Sequence, residues 1–432
     1  MEKMVIEGGA PLYGNIRING AKNAALPILA ACLLTNGTSK IKGIPELTDI
    51  KTLCKILNTL GVITERCADG SLELTVKKEE NVTAPYDLVR KMRASICVLG
   101  PLLGRRGKAK VSIPGGCSIG PRPIDLHIKG IKSLGAQVEI KDGYIIATGN
   151  KLKGNTIYLG GPKGSTVLGT CNVMMAATLG EGRTIIENAA CEPEVQDLAN
   201  FLNKAGAKIS GIGDKALIIN GVEELHGTEY EIIPDRIEAG TIMIAGAITG
   251  GSIVVENIIP CHLTSIIDKL NEIGVNIQIR NVSNDYSNGK ILGECIVKGN
   301  KSFNSANITT LPYPGIPTDM QAQFASLLSI AKGVSIITEN IFPHRFMQVA
   351  ELNRMGANIR NEDAIAIING VPTLSGATVM ASDLRASASL VIAGLVAKGV
   401  TKIRRLYHID RGYERLEDRL ASLGAKIWRE KE

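Results

Sequence analysis

Five charged residues stand where a helix is expected to begin. Lys22, Arg93, Arg236, Asp319 and Arg385 precede or open stretches that are almost wholly apolar. A cation at a helix N-terminus opposes the helix dipole by about 0.3–1 kcal/mol. A bound anion would reverse that penalty, because free backbone N–H groups and Lys or Arg all favour phosphate. One such residue alone reads as a solvated charge or a structural ion pair; several at the same point of a repeated unit read as an anion site. A second group lies in the segment Pro114-Gly115-Gly116-Cys117-Ser118-Ile119-Gly120-Pro121-Arg122-Pro123. Its Gly and Pro exclude regular helix or strand, so it reads as a long loop of the lid type. A Cys beside an Arg and near an anion site is a candidate acid or nucleophile. A third segment, Pro312–Gln321, delivers Asp319 to the start of an apolar helix, where Thr318 or Asp319 could equally be an N-cap. A fourth, Tyr407–Arg415, is dense in polar groups between a strand and a helix.

These residues recur because the units that carry them recur. A phrase of the form Leu-Gly-Ala-x-Val returns along the chain at Leu60-Gly61-Val62, Leu134-Gly135-Ala136, Ala205-Gly206-Ala207, Ile273-Gly274-Val275, Met355-Gly356-Ala357 and Leu423-Gly424-Ala425. The period of roughly 70 residues is too long for a solenoid repeat and suits a small folded unit. Before each phrase lies an amphipathic pattern, such as Leu47, Ile50, Leu53, Leu57 and Leu60, or Ile124, Ile128, Ile131 and Leu134. The Gly then reads as a helix stop. Further upstream sits a helix apolar all round, hence buried, over 24–34, 94–103, 167–179, 237–248, 320–331 and 386–397. One unit reads buried helix, strand, surface helix, strand, strand. The sixth ends without its last strands, which residues 1–20 are expected to supply. Three units per domain give one domain over 22–232 and a second over 1–21 and 233–432. A cleft between two such halves is a standard place for a ligand.

Length and composition agree with two α/β domains. The chain has 432 residues, 44% of them hydrophobic and 21% charged, enough for two cores. The +7 charge is dispersed and aromatics are only 3%, which argues against nucleic acid and for small anionic substrates. Nine cysteines occur without a CxxC pair, so neither disulfides nor structural zinc is expected, and a reducing cytoplasm is. Cys32, Cys54, Cys97, Cys171 and Cys261 fall on apolar stretches and read as small buried hydrophobes. The start shows no signal-peptide core and no run is long enough to span a membrane, so a soluble protein is expected. Phosphate-loop, HExxH, EF-hand and GxGxxG patterns are missing, leaving ATP, zinc, calcium and nicotinamide without support.

The motifs together resemble the UDP-N-acetylglucosamine 1-carboxyvinyltransferases, of the enolpyruvyl transferase family. The likeness runs end to end. It is most specific at Gly20–Pro27, Met92–Ser95, Gly115–Arg122, Pro317–Gln323, Asp383–Ser387 and Tyr407–Arg415. The resemblance implies two inside-out α/β barrels, each of three βαβαββ units. It implies transfer of the enolpyruvyl group of phosphoenolpyruvate to UDP-N-acetylglucosamine with release of phosphate, the first committed step of peptidoglycan synthesis. It also implies roles. Lys22, Asn23, Arg122 and Arg411 would hold phosphoenolpyruvate. Asn23, Arg93, Arg122, Pro123, Ile124, Asp125, Leu126, Lys163, Gly164, Asp319 and Ile341 would hold the sugar nucleotide. Cys117 would be the general acid, able to form a covalent adduct and to react with fosfomycin, and Asp319 the general base. Arg345, Asp383 and Arg385 would complete the polar wall. No metal, cofactor, nucleic acid or membrane is implied. The chain departs from the commonest pattern at Thr48, where many relatives carry Lys, at Cys97, and over Gly161–Thr166.

Overall fold

The computed structural model describes residues 2–114, 123–162, 164–281, 291–300 and 302–431. Among these the chain divides into two compact units, one holding the residues up to Asn19 and those from Pro234 onward, the other running from Gly20 to Ile233.

Among the described residues six four-stranded sheets share one topology. In each, the first strand runs parallel to the second, the second pairs antiparallel with the fourth, and the fourth pairs antiparallel with the third. In one example, Ile308–Thr310 runs beside Val334–Glu339, which pairs with Ile365–Asn369, which pairs with Asn358–Glu362. A parallel pair needs a crossover; in four of these sheets the helical segment between the two strands supplies it, and in the other two the parallel partner comes from a distant part of the chain.

The N-terminus resolves the incomplete sixth repeat, though only in part. Strand Glu2–Glu7 lies between Val400–Arg404 and Lys426–Lys431, antiparallel to both, and so fills the empty place. Tyr13–Arg17 does not join that sheet. It runs parallel to Ser252–Ile258 and opens another. The expectation that residues 1–20 together complete the sixth unit is therefore corrected: the sheet has one vacancy, Glu2–Glu7 takes it, and the next extended stretch pairs elsewhere. The same exchange occurs in the other unit, where Glu229–Glu231 runs beside Thr38–Lys42.

The apolar helices pack on one another inside the units. Arg236–Ile248, Gln321–Leu328 and Leu384–Val396 are mutually in contact in one. Every residue of the first is buried, at about 1.5–3 kcal/mol for each large aliphatic side chain. In the other unit Lys22–Ala31 packs against the turn Arg93–Val98, and that turn and the helix Leu99–Arg106 pack against Val167–Thr178. Small residues allow this: a Cβ on Gly100 would lie 2.2 Å from the Asn172 carbonyl oxygen. The outer helices end as their sequence phrase requires, with Gly61, Gly135, Gly206, Gly274, Gly356 and Gly424 all at φ between +84° and +113°, a region that suits glycine.

Two details differ from expectation. In helix Asp125–Ser133 the inward face is built by His127, Gly130 and Ile131, while Ile124 and Ile128 are only partly buried. Cys261 is exposed on the short turn Pro260–Leu263, and Cys54 is half-buried, whereas Cys32, Cys97 and Cys171 are buried. Among the described residues no helix is long and apolar enough to cross a membrane.

Candidate active site

The unit formed by the residues up to Asn19 and from Pro234 onward gathers charged side chains around Asp319. Asp319 lies in the turn Thr318–Met320, and neither that turn nor the following helix Gln321–Leu328 is capped by a side chain. Its carboxylate is therefore not an N-cap. Arg345 donates from Nη1 to Asp319 Oδ1 at 2.7 Å and to Thr318 Oγ1 at 3.1 Å. Arg385 donates from Nη2 to Asp319 Oδ2 at 3.1 Å. Each carboxylate oxygen thus faces its own guanidinium. Asp319 keeps 24% of its side chain exposed, against 8% for Arg345 and 1% for Arg385, so this rigid arrangement leaves the carboxylate accessible.

Arg385 is placed by its helix. Asp383 caps Leu384–Val396, accepting from the N–H groups of Arg385 and Ala386 at 2.8 and 3.2 Å. The guanidinium then lies 5.2 Å from the centre of the Tyr413 ring. Burial works against charge on both arginines. Tyr413 and Asp319 outweigh it at Arg385, and Asp319 and Asp383 at Arg345, holding both above the ordinary arginine value. Among the described residues the buried Nε and Nη1 groups of Arg385 have no hydrogen-bond partner, an unusual deficit for buried donors.

The neighbouring segments are fixed by side chains that sequence reasoning did not single out. Gln323 Nε2 donates to the Asp319 carbonyl at 2.9 Å and to Thr241 Oγ1 at 3.0 Å, and Thr241 meets the Tyr413 hydroxyl at 2.9 Å. Arg429 pins the turn Leu406–Arg411 through Asp410, with bonds of 2.5 and 3.2 Å; Arg411, half-buried, ends that turn. Ile341 N and Phe342 N donate to the buried Glu339. Nothing marks Glu339 in the sequence beyond its place at the end of a strand.

The unit from Gly20 to Ile233 carries the other candidates. Lys22 opens Lys22–Ala31, is buried, and lies 3.6 Å from the buried Asp49. The ion-pair reading of a helix-opening cation thus has substance here. Asn23 follows, half-buried. Arg93 opens its turn and donates to the Pro123 carbonyl at 3.3 Å. Pro123 is followed by Ile124 and by Asp125 and Leu126, which begin the helix Asp125–Ser133. Leu126 in turn reaches Gly161, in the hairpin Gly160–Gly161 with Gly164–Ser165. Gly164 holds the left-handed φ of +90° that the turn demands. Arg93, Pro123, Leu126 and the Gly164 hairpin are therefore brought together. Beneath them a buried network supports the geometry: Asn172 bonds Ile96 O and His127 Nδ1 at 3.0 Å and accepts from Gly100 N at 2.8 Å. Cys117, Arg122 and Lys163 lie outside the described residues. Among the described residues no cluster of His, Cys, Asp and Glu is suited to a metal ion.

Comparison with known proteins places this geometry in context. The family profile described as EPSP synthase (3-phosphoshikimate 1-carboxyvinyltransferase) matches residues 6–420. The chain is 53% identical to UDP-N-acetylglucosamine 1-carboxyvinyltransferase 2 of Carboxydothermus hydrogenoformans, covering 99% of both chains. It is 54% identical to the UDP-N-acetylglucosamine 1-carboxyvinyltransferase of Methylacidiphilum infernorum, again over 99% of both. Among solved structures, the enolpyruvyl transferase NikO of Streptomyces tendae superposes with a TM-score of 0.88 at 24% identity, over 99% of this chain and 98% of that one. EPSP synthase of Acinetobacter baumannii superposes at 0.77 and 19% identity over the whole of both chains. These two share the fold.

Proposed function

This chain belongs to the enolpyruvyl transferases of the EPSP synthase family, and from that premise we propose that it moves the enolpyruvyl group of phosphoenolpyruvate onto the 3-hydroxyl of UDP-N-acetylglucosamine, releasing phosphate in the first committed step of peptidoglycan synthesis. The observation that carries the choice of acceptor is an identity above one half, at 99% coverage, to transferases that bear that acceptor in their names. The phosphoshikimate acceptor in the profile's description is the rival, and two solved structures of EPSP synthase from Acinetobacter baumannii are 19% and 18% identical.

The chemistry fits the residues. Protonation of the methylene carbon gives an oxocarbenium-like centre, the sugar oxygen attacks it, and the tetrahedral intermediate expels phosphate as the methyl proton leaves. In this reading Cys117 supplies the proton to carbon and can carry a covalent adduct, and Asp319 takes the hydroxyl proton. Lys22, Asn23, Arg122 and Arg411 bind phosphoenolpyruvate. Asn23, Arg93, Arg122–Leu126, Lys163, Gly164 and Ile341 bind the sugar nucleotide, and Arg345, Asp383 and Arg385 form the wall behind Asp319. Support comes from the carboxylate being clamped by two arginines while still accessible, and from the Nε and Nη1 atoms of Arg385, which have no hydrogen-bond partner among the described residues. Charge develops on oxygen at every step, so fixed cations are the expected catalyst, and no metal or cofactor is required. The reading places the enzyme in the cytoplasm, acting on small molecules alone.

The product tests it. Incubation with phosphoenolpyruvate and UDP-N-acetylglucosamine should yield, by mass spectrometry, the sugar nucleotide bearing one enolpyruvyl group. Modification of shikimate 3-phosphate in its place would overturn the acceptor.

A further inference from the structure

Glu339 ends the strand Val334–Glu339 on its inward phase, in line with Ser335 and Ile337, and is completely buried. In the corresponding strand of the other unit, Arg183–Glu187, the terminal glutamate falls on the outward phase and is exposed. A buried carboxylate is costly unless its lone pairs are engaged, and here four donors engage them. Oε1 accepts from Thr310 Oγ1 at 2.7 Å, Ile341 N at 2.8 Å and Phe342 N at 2.9 Å. Oε2 accepts from Thr318 Oγ1 at 2.9 Å. Thr310 Oγ1 in turn accepts from Asn340 N at 3.0 Å. Three separate segments are thereby tied to one side chain.

The Thr318 hydroxyl has a single proton, and Glu339 takes it. Only lone pairs are left to face Arg345, whose Nη1 donates to Thr318 at 3.1 Å and to Asp319 Oδ1 at 2.7 Å. We infer that Glu339 is a positioning residue for the transfer reaction. It aims the Asp319 carboxylate through Thr318 and Arg345, and it sets the Ile341–Phe342 turn through two backbone bonds. The inference rests on the reading of Asp319 as the general base and Ile341 as a sugar-nucleotide contact. Glu339→Gln keeps size and shape but reverses one polarity. With its amide nitrogen toward Thr318, the hydroxyl must turn its proton toward Arg345. With the nitrogen toward Thr310, it faces three donors. The second orientation keeps the Thr318 bond but sets the amide against two backbone N–H groups that cannot turn away, so the first, which breaks the relay, is the one expected.

The test is steady-state phosphate release by the full chain in wild type, Glu339→Gln, Thr318→Val, Thr318→Ser and the Glu339→Gln/Thr318→Val double variant, each checked for folding by thermal melting. Both relay-breaking single variants should lose kcat by about 10- to 100-fold, with KM for phosphoenolpyruvate unchanged. KM for the sugar nucleotide should rise in Glu339→Gln, which disturbs the turn, and not in Thr318→Val. The double variant should be no slower than the slower single one, because both changes cut the same relay. Thr318→Ser should restore the rate. Losses that multiply in the double variant, or an unchanged kcat in Glu339→Gln, would overturn the inference. If Glu339→Gln does not fold, Thr318→Val decides alone: a wild-type rate overturns the relay. A wild type that releases no phosphate would instead sink the underlying reading and the inference with it, whereas an active wild type with indifferent variants sinks the inference only.

Discussion

Asp319 is held on both oxygens by arginines that are far more buried than it is. Removing it leaves two guanidiniums without their partner. Asp319→Ala should therefore destabilise by on the order of 3 kcal/mol, seen as a lower Tm. Asp319→Asn should keep most of the fold and lose turnover, and an unchanged rate would contradict the base role. Thiol chemistry separates the cysteines in the same way. Burial pushes Cys32 and Cys97 up to about 12 and raises Cys171 well above the ordinary thiol value, leaving almost no thiolate at neutral pH. Alkylation of the native protein followed by peptide mapping should mark Cys117 and the exposed Cys261, and mark the three buried thiols only after unfolding. Cys117→Ser should cut turnover sharply without changing Tm. Lys22, Arg93, Asp319 and Arg385 were legible in the sequence because a charge at the start of an apolar helix is conspicuous. Asp49 and Glu339 were not. An acid in a first helical turn or at a strand end reads as solvated, and only the folded chain shows which way each faces.

Helix Arg236–Ile248 carries a pH effect that belongs to its whole environment. Glu238, in its first turn, accepts from Asn19 N at 3.0 Å and lies 3.3 Å from Arg419. Burial pushes its carboxyl up to about 7 against the pull of Arg419, with Asp235 and Glu414 adding to the rise. The unfolded chain releases this proton near 4.5. Between about pH 4.5 and 7 the folded state therefore holds a proton that the unfolded state has lost, so stability falls as pH rises through that window and is level above it. Tm should drop more from about pH 5 to pH 8 in wild type than in Glu238→Gln. Equal slopes would show that Glu238 is ionised throughout. The N-terminal strand offers a second check. Glu2–Glu7 is central in its sheet, so deleting it should unfold the unit that starts at Pro234, as read by hydrogen exchange, while the other unit keeps its protection. The helices and their glycine stops could be read from sequence because period and stop are local signals. The partner of Tyr13–Arg17 could not, because its strand lies more than two hundred residues away and the pairing leaves no local pattern.

Across the whole molecule, six repetitions of one sheet topology give a scaffold in which unlike loops carry the chemistry. The repeat count followed from one recurring glycine phrase; the acceptor did not follow from any spacing, and it came from motifs matched end to end and from relatives above one half identical. The central claim is that phosphate leaves phosphoenolpyruvate only when a sugar nucleotide attacks. Phosphate release should therefore be measured with phosphoenolpyruvate alone and again with UDP-N-acetylglucosamine added. The account predicts release only in the second case. Release that ignores the sugar nucleotide, or none in either case with both ligands shown to bind, would contradict it.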